Sequence, residues 1–291
     1  MKLKDKIIAN QVWFWATVSA AGLVLLAVLA GIIVLVVTMA GPKDEPIVKE
    51  PEPIVKVEEE KPVYGPPEES TFAPQDFQYD GQYLTCITQP SELGIDVSQH
   101  QGEIDWQAVK DAGVTFAIVR VGGRGYGAKG VLYTDDLAKS YYEGAKAAGI
   151  KVGAYFFSQA TSVAEAEEEA DFVLDFIKDW QLDMPVVYDW EQMLMAGSRT
   201  QNVDARVVTD CMKAFCQKIE ASGNDAMIYF NPDHSDVQFY IEEVTAYDFW
   251  LAYYTQWMDY PYKVNMWQYT NQGVMPGIEG DVDINLYFPE S

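Results

Sequence analysis

Residues 12–40 run for 29 positions without a charged side chain, and that stretch limits what the rest of the chain can be. About 20 apolar residues carry a helix across the hydrocarbon of a bilayer. No polar face interrupts this run, so it does not read as the amphipathic helix of a soluble core. We read it as an uncleaved anchor, because the apolar part of a secretory signal peptide spans only about 7–15 residues. A signal cleaved near Thr38-Met-Ala40 is the alternative and would give a secreted form. Lys2, Lys4 and Lys6 precede the span and acids follow it. By the positive-inside rule, residues 1–11 are then cytoplasmic and everything after Gly41 extracellular, in a single-pass protein of the cell membrane. The lipid bilayer is thus one expected partner, through residues 12–40.

Past the span, residues 41–75 hold eight of the fourteen prolines, nine acids and four lysines. Such a stretch has little to bury and favours extended polyproline II, so a disordered Pro/Glu-rich stalk is expected. Residues 76–93, with Phe77, Tyr79, Tyr83 and Leu84, are aromatic enough to pack as a lead-in to a folded domain over 94–291. From Asp76 onward there are 34 acids against 13 Lys/Arg. That balance excludes a nucleic-acid partner, which is held by Lys and Arg on phosphates. Three cysteines (Cys86, Cys211, Cys216) are too few for a disulfide framework and read as buried thiols. Two histidines without a Cys/His cluster give no support for a metal or other cofactor.

Within the domain, short apolar runs alternate with helical patterns. Strands are expected at 93–97, 116–121, 151–158, 185–190, 226–230, 248–253, 265–269 and 282–287. Helices are expected at 106–112 and 135–148, each followed by Gly. A third follows the Ser162/Glu165 capping signature to about residue 179, and a fourth covers 200–221. After residue 226 only one short helix, at 236–243, interrupts the strands. The fold class is therefore α/β: a flattened, irregular (β/α) barrel rather than a regular eight-fold one. The glycine-rich 122–127 stretch is expected to be a mobile loop beside the cleft.

In such barrels the carboxyl ends of the strands carry the active site. Three strand regions present acids there: Asp96, Asp189 with Glu191, and Asp281 with Asp283. Residues i and i+2 of a strand share a face, so Asp189 and Glu191 converge while Trp190 points away. Burial and mutual repulsion should leave one protonated beside an ionised partner. Glycosidic cleavage needs that division of labour. Aromatics near the strand ends (Tyr155, Phe157, Tyr188, Tyr229, Trp250, Tyr253, Trp267, Tyr269) offer faces for sugar rings.

Several segments, in order, resemble glycoside hydrolase family 25. They are Gly94-Ile-Asp-Val-Ser-Gln-His-Gln-Gly102, Ile104-Asp-Trp106, Phe116-Ala-Ile-Val-Arg120, Val152-Gly-Ala-Tyr155, Asp189-Trp-Glu191, Trp267-Gln-Tyr269 and Val282-Asp-Ile-Asn285. The resemblance implies a muramidase that hydrolyses the β-1,4 bond between N-acetylmuramic acid and N-acetylglucosamine, with peptidoglycan glycan strands as substrate. It implies Glu191 as general acid, Asp189 as its partner, and Asp96 and Asp283 as flanking carboxylates. Substrate contacts are expected from Arg120, Tyr155, Phe157, Tyr229, Trp250, Tyr253, Trp267 and Gln268. Retention of configuration, by a covalent route or through the substrate's own N-acetyl group, is implied too. A silent glycan-binding receptor on the same scaffold is the alternative. A chitinase-like hydrolase is disfavoured, because Met184 and Val187 stand where that pattern needs acids.

Overall fold

The computed structural model describes residues 65–233 and 238–289. The expected anchor at 12–40 and the stalk up to residue 64 lie outside the described residues. Among those described, no helix is long and apolar enough to cross a membrane.

The chain enters through a hairpin of β1 (Phe77–Asp80) and β2 (Tyr83–Cys86). It continues through β3 (Glu92–Val97), α1 (Trp106–Asp111), β4 (Phe116–Arg124), β5 (Leu132–Thr134), α2 (Ala138–Ala147) and β6 (Lys151–Ser158). Then come α3 (Val163–Ile177), β7 (Val186–Trp190), α4 (Ala205–Ala221), β8 (Ala226–Phe230), β9 (Asp248–Ala252), β10 (Met266–Gly273) and β11 (Val282–Tyr287). Strands β3, β4, β6, β7, β8, β9 and β10 follow one another in parallel. Strand β11 closes the ring by pairing antiparallel with both β10 and β3. Strand β5 hangs on the far end of β4. The barrel is irregular toward its end: between β8 and β9 the described residues hold only a helical pair at 232–233 and a 3₁₀ turn at Ile241–Glu243, and among them no α-helix separates β9, β10 and β11. Of the helix expected at 236–243, residues 236 and 237 lie outside the described residues, and the described part holds only this 3₁₀ turn.

Alternation along the strands sorts the core into two clusters. Phe116, Ile118, Val187, Met227, Trp250 and Met266 fill the barrel interior. The intervening residues, among them Ala117, Val119, Tyr188, Ile228, Phe249 and Trp267, face the outer layer of helices and the lead-in hairpin. At Gly94 the Phe116 ring occupies the space a Cβ would need. Phe116 is fully buried, so the clash has no outlet. Gly94→Ala is expected to cost about 1–3 kcal/mol by overpacking, read as a lowered thermal midpoint with the same secondary structure.

Side-chain caps set the helix starts: Asp105 on α1, Ser162 on α3 and Asp204 on α4 each accept from main-chain N–H groups of the first turn. Gly149 ends α2 with a φ of 71°, a value that favours glycine. Two helices begin later than the pattern predicts. Asp135 is drawn out of α2 because its carboxylate pairs with Arg120 and accepts from the N–H groups of Gln99 and Leu137. Thr200 is fully buried and tied to Gln159 rather than helical. The mobile loop expected at 122–127 is corrected at its start. Gly122, Gly123 and Arg124 continue β4, paired with β5 and buried. A Cβ at Gly122 or Gly123 would run into Tyr133, so glycine here serves close strand packing.

The lead-in packs as expected, and its packing begins earlier than residue 76. Phe77 sits edge-on to Trp267 with ring centroids 5.0 Å apart, and Phe72 lies 4.6 Å from Phe288. Glu69 bridges Tyr262, and the Ser70 N–H donates to the Pro261 carbonyl at 2.8 Å. Composition placed this end of the stretch in the stalk, but Phe72 supplies the apolar side chain that ties it down. Cys86, Cys211 and Cys216 are free and buried.

Candidate functional site

The interior cluster stops short of the carboxyl ends of the strands, where polar side chains replace it. Asp96 on β3, Asp189 on β7, Tyr229 on β8, Trp250 on β9, Gln268 on β10 and Asp283 on β11 surround one cleft of about 120 Å³. Strand β11 runs opposite to its neighbours, so its first residues lie at this end, and Asp283 is the register partner of Asp96. A larger hollow of about 470 Å³ lies elsewhere, among Phe72, Pro90, Lys263 and Phe288 against the lead-in. Three of the four expected acids line the smaller cleft; Glu191, two residues past Asp189, is not among its lining residues, and none of the four reaches the larger hollow.

Each acid is held differently. Asp96 Oδ2 accepts from Gln268 Nε2 and from Asn285 Nδ2, both at 2.8 Å. Gln268 Oε1 in turn accepts from the Tyr229 and Tyr254 hydroxyls at 3.2 and 2.9 Å. Asn285 Oδ1 accepts from Trp250 Nε1 at 2.9 Å. The two amides are thereby oriented with their N–H groups toward Asp96. Burial, then the nearby Asp283, still push the Asp96 carboxyl well above its ordinary range. Asp189 is also pushed well up, by burial first and then by Glu191 and Asp96, with Arg120 pulling the other way. Its Oδ1 is buried without a hydrogen-bond partner. Glu191 lies within hydrogen-bonding reach of Asp189 and is raised by burial, an effect the contact with Asp189 partly offsets. Burial lifts Asp283 to about 6.

Two carboxyls in contact in a poorly solvated site cannot both ionise easily, and they share a proton as a coupled pair. The half-buried Glu191 is the member nearer solvent. A cleft so built can deliver one proton to a substrate oxygen and hold negative charge beside a developing cation. Among the described residues, no group of three His, Cys, Asp or Glu side chains is arranged to hold a metal ion.

Other residues expected at the site separate into groups. Tyr155, Tyr229, Trp250 and Gln268 line the cleft. Arg120 and Phe157 line an adjoining groove of about 350 Å³ with Tyr126 and Tyr133. Arg120 is paired there with Asp135 at 2.8 Å. Trp267 and Tyr253 are not brought to the cleft. Trp267 is fully buried on the outer face of β10, where alternation places it opposite Gln268, and its Nε1 donates to the Tyr253 carbonyl at 2.7 Å. Tyr253 hydrogen-bonds Asp259 through its hydroxyl and packs against the outer core. Sequence reasoning passed over Tyr254, Asn271 and Asn285. Asn285 carried a usable signal, standing two residues after Asp283 and hence on the same face. Tyr254 follows the end of β9, where strand alternation no longer says which way a side chain points.

Comparison with known proteins gives the family and the fold. The family described as "Glycosyl hydrolases family 25" matches residues 95–278. The autolytic lysozyme of Clostridium acetobutylicum is 27% identical over 201 residues, covering 67% of this chain and 55% of that protein. Lysozyme M1 of Streptomyces globisporus is 28% identical over 205 residues, 67% of each chain. Among solved structures, the Streptomyces coelicolor lysozyme aligns with a TM-score of 0.54 at 26% identity, covering 69% of this chain and 93% of that one. The modular autolysin LytC of Streptococcus pneumoniae, solved with a synthetic peptidoglycan ligand, aligns with a TM-score of 0.60 at 24% identity, covering 68% and 47%. The chain thus spans about half the length of the clostridial and pneumococcal proteins.

Proposed function

Because the chain belongs to glycosyl hydrolase family 25, we propose that its cleft hydrolyses the β-1,4 bond between N-acetylmuramic acid and N-acetylglucosamine in peptidoglycan. The observation that carries this reading is the contact of Glu191 with Asp189, which shares one cleft with Asp96 and Asp283. Glu191 protonates the leaving glycosidic oxygen. Asp189, deeper and beside Arg120, holds the negative charge. The Asp189 carboxylate, which lines the cleft, accepts the N–H of a substrate acetamido group. That contact stabilises the Asp189 anion, drives the shared proton onto Glu191 and orients the acetamido oxygen toward the anomeric carbon. The Asp96 side, with its paired amides and Tyr254, grips ring hydroxyls, and Trp250 and Tyr155 form the floor.

Localisation belongs to the same proposal. The uncharged run at 12–40 anchors the chain in the cell membrane, and the Pro/Glu-rich stretch after it holds the hydrolase outside, within reach of the wall. Digestion of purified peptidoglycan by the full chain tests the activity: new reducing ends support it, and binding without new ends points to a silent receptor.

A further inference from the structure

The ladder between β6 and β7 ends at the pair Ser158 and Trp190, and the pairing of β7 with β8 ends at Asp189 and Tyr229. Glu191 is the next residue, past the last register pair on both sides. Its main-chain carbonyl is nevertheless held. Gln159, fully buried, donates from Nε2 to the Glu191 carbonyl at 2.7 Å and to the Ser158 carbonyl at 2.9 Å. Gln159 Oε1 accepts from the Thr200 hydroxyl at 2.9 Å. Thr200 Oγ1 accepts from the Met193 N–H at 3.0 Å. Both polar ends of a fully buried amide are thus used, and they tie the strand exit of β6 to the segment that carries Glu191. A buried amide that lost these partners would incur its full desolvation cost, so this side chain has one stable arrangement. Neither Gln159 nor Thr200 lines the cleft.

We propose that Gln159, oriented by Thr200, is the positioning residue for Glu191: it replaces the missing ladder bond, fixes the main chain there, and so sets how the Glu191 carboxyl meets Asp189. The inference rests on the reading of Glu191 as the working acid. Small displacements of a reacting group are expensive, about 100-fold in rate for roughly 1 Å. Gln159 therefore acts on turnover through geometry while touching no substrate.

The test uses the full chain with Gln159→Met, which keeps the volume and removes the amide, and Thr200→Val and Thr200→Ser. Thr209→Val is the control. Thr209 is equally buried, and its hydroxyl donates to the Ala205 carbonyl and accepts from the Tyr240 N–H, far along the chain from the acids. Two readouts are taken: kcat and KM on peptidoglycan, and infrared titration of the protonated carboxyls, assigned with Asp189→Asn and Glu191→Gln. Gln159→Met is expected to lower kcat by about 10- to 100-fold with little change in KM, and to alter the titration of the acid pair. Thr200→Val follows in the same direction, Thr200→Ser restores both readouts, and Thr209→Val lowers only the thermal midpoint. If Gln159→Met does not fold, Thr200→Val against Thr200→Ser decides alone. An acid pair that titrates as in the wild type in folded Gln159→Met or Thr200→Val overturns the proposal. An altered titration in a chain inactive on every wall leaves the positioning role standing and removes the muramidase reading instead.

Discussion

Glu191→Gln is expected to leave the fold unchanged and to lower turnover on peptidoglycan by about 10²- to 10⁴-fold, the usual contribution of a positioned general acid. Glutamine keeps the volume and the main-chain hydrogen bond from Gln159, so neither the strand end nor its supports should move. What disappears is the proton for the leaving oxygen. The substitution also removes the negative neighbour of Asp189, whose carboxyl is raised in part by Glu191. Asp189 should therefore titrate lower in the variant, closer to an ordinary aspartate, in the same infrared experiment. A loss of activity together with this shift ties the defect to the pair. A thermal midpoint close to that of the wild type excludes unfolding as its cause.

The second large effect concerns stability. Arg124 is buried and holds Glu169 Oε1 through Nε at 2.6 Å, Glu168 at 2.6 Å and the Gly130 carbonyl at 2.8 Å. Glu169 is fully buried, and its other oxygen accepts from Ser158 Oγ at 2.6 Å. Burial pushes its carboxyl up to about 7 even against the pull of Ser158 and Arg124. Arg124→Met leaves that carboxyl without a counter-charge, and breaking a buried pair in this way costs about 3–5 kcal/mol. The sign of the pH dependence follows from linkage. A carboxyl raised in the folded state contributes stability that is fully present below its unfolded value, near 4.3, and lost as pH rises through the folded value. Near pH 5 Glu169 is protonated with or without Arg124. Near pH 8 it is mostly ionised and paired in the wild type, whereas the variant must retain the proton or bury a bare charge. Denaturant unfolding at the two pH values should show the larger deficit at the higher one. An equal deficit at both would mean that Arg124 acts by packing alone.

The barrel and its acids were legible because both rest on period-two alternation. Continuous apolar runs mark the parallel strands, and the i, i+2 rule puts Asp189 and Glu191 on one face from the sequence alone. The same rule, applied strictly, would have moved Trp267 outward once Gln268 was assigned inward, and would have added Asn285 to Asp283. Residues off the strands were harder to read. Tyr254, Gln159 and Thr200 lie just past strand ends or in loops, and what fixes them is a hydrogen bond to a residue distant in sequence, which leaves no local pattern. Arg124 was obscured by its glycine neighbours. Those glycines suggest a loop to a propensity argument, yet they serve the close approach of Tyr133. Composition misjudged residues 68–72 for a related reason, since one phenylalanine among prolines and acids is enough to dock a segment when Phe77 and Phe288 wait for it.

In the proposed function Glu191 delivers the proton that breaks a muramyl–glucosaminyl bond. Mass analysis of the ends released from peptidoglycan by the full chain and by Glu191→Gln tests it most directly. New reducing N-acetylmuramic acid ends are expected from the wild type and essentially none from the variant. Reducing N-acetylglucosamine ends from the wild type, or undiminished release by Glu191→Gln, would contradict it.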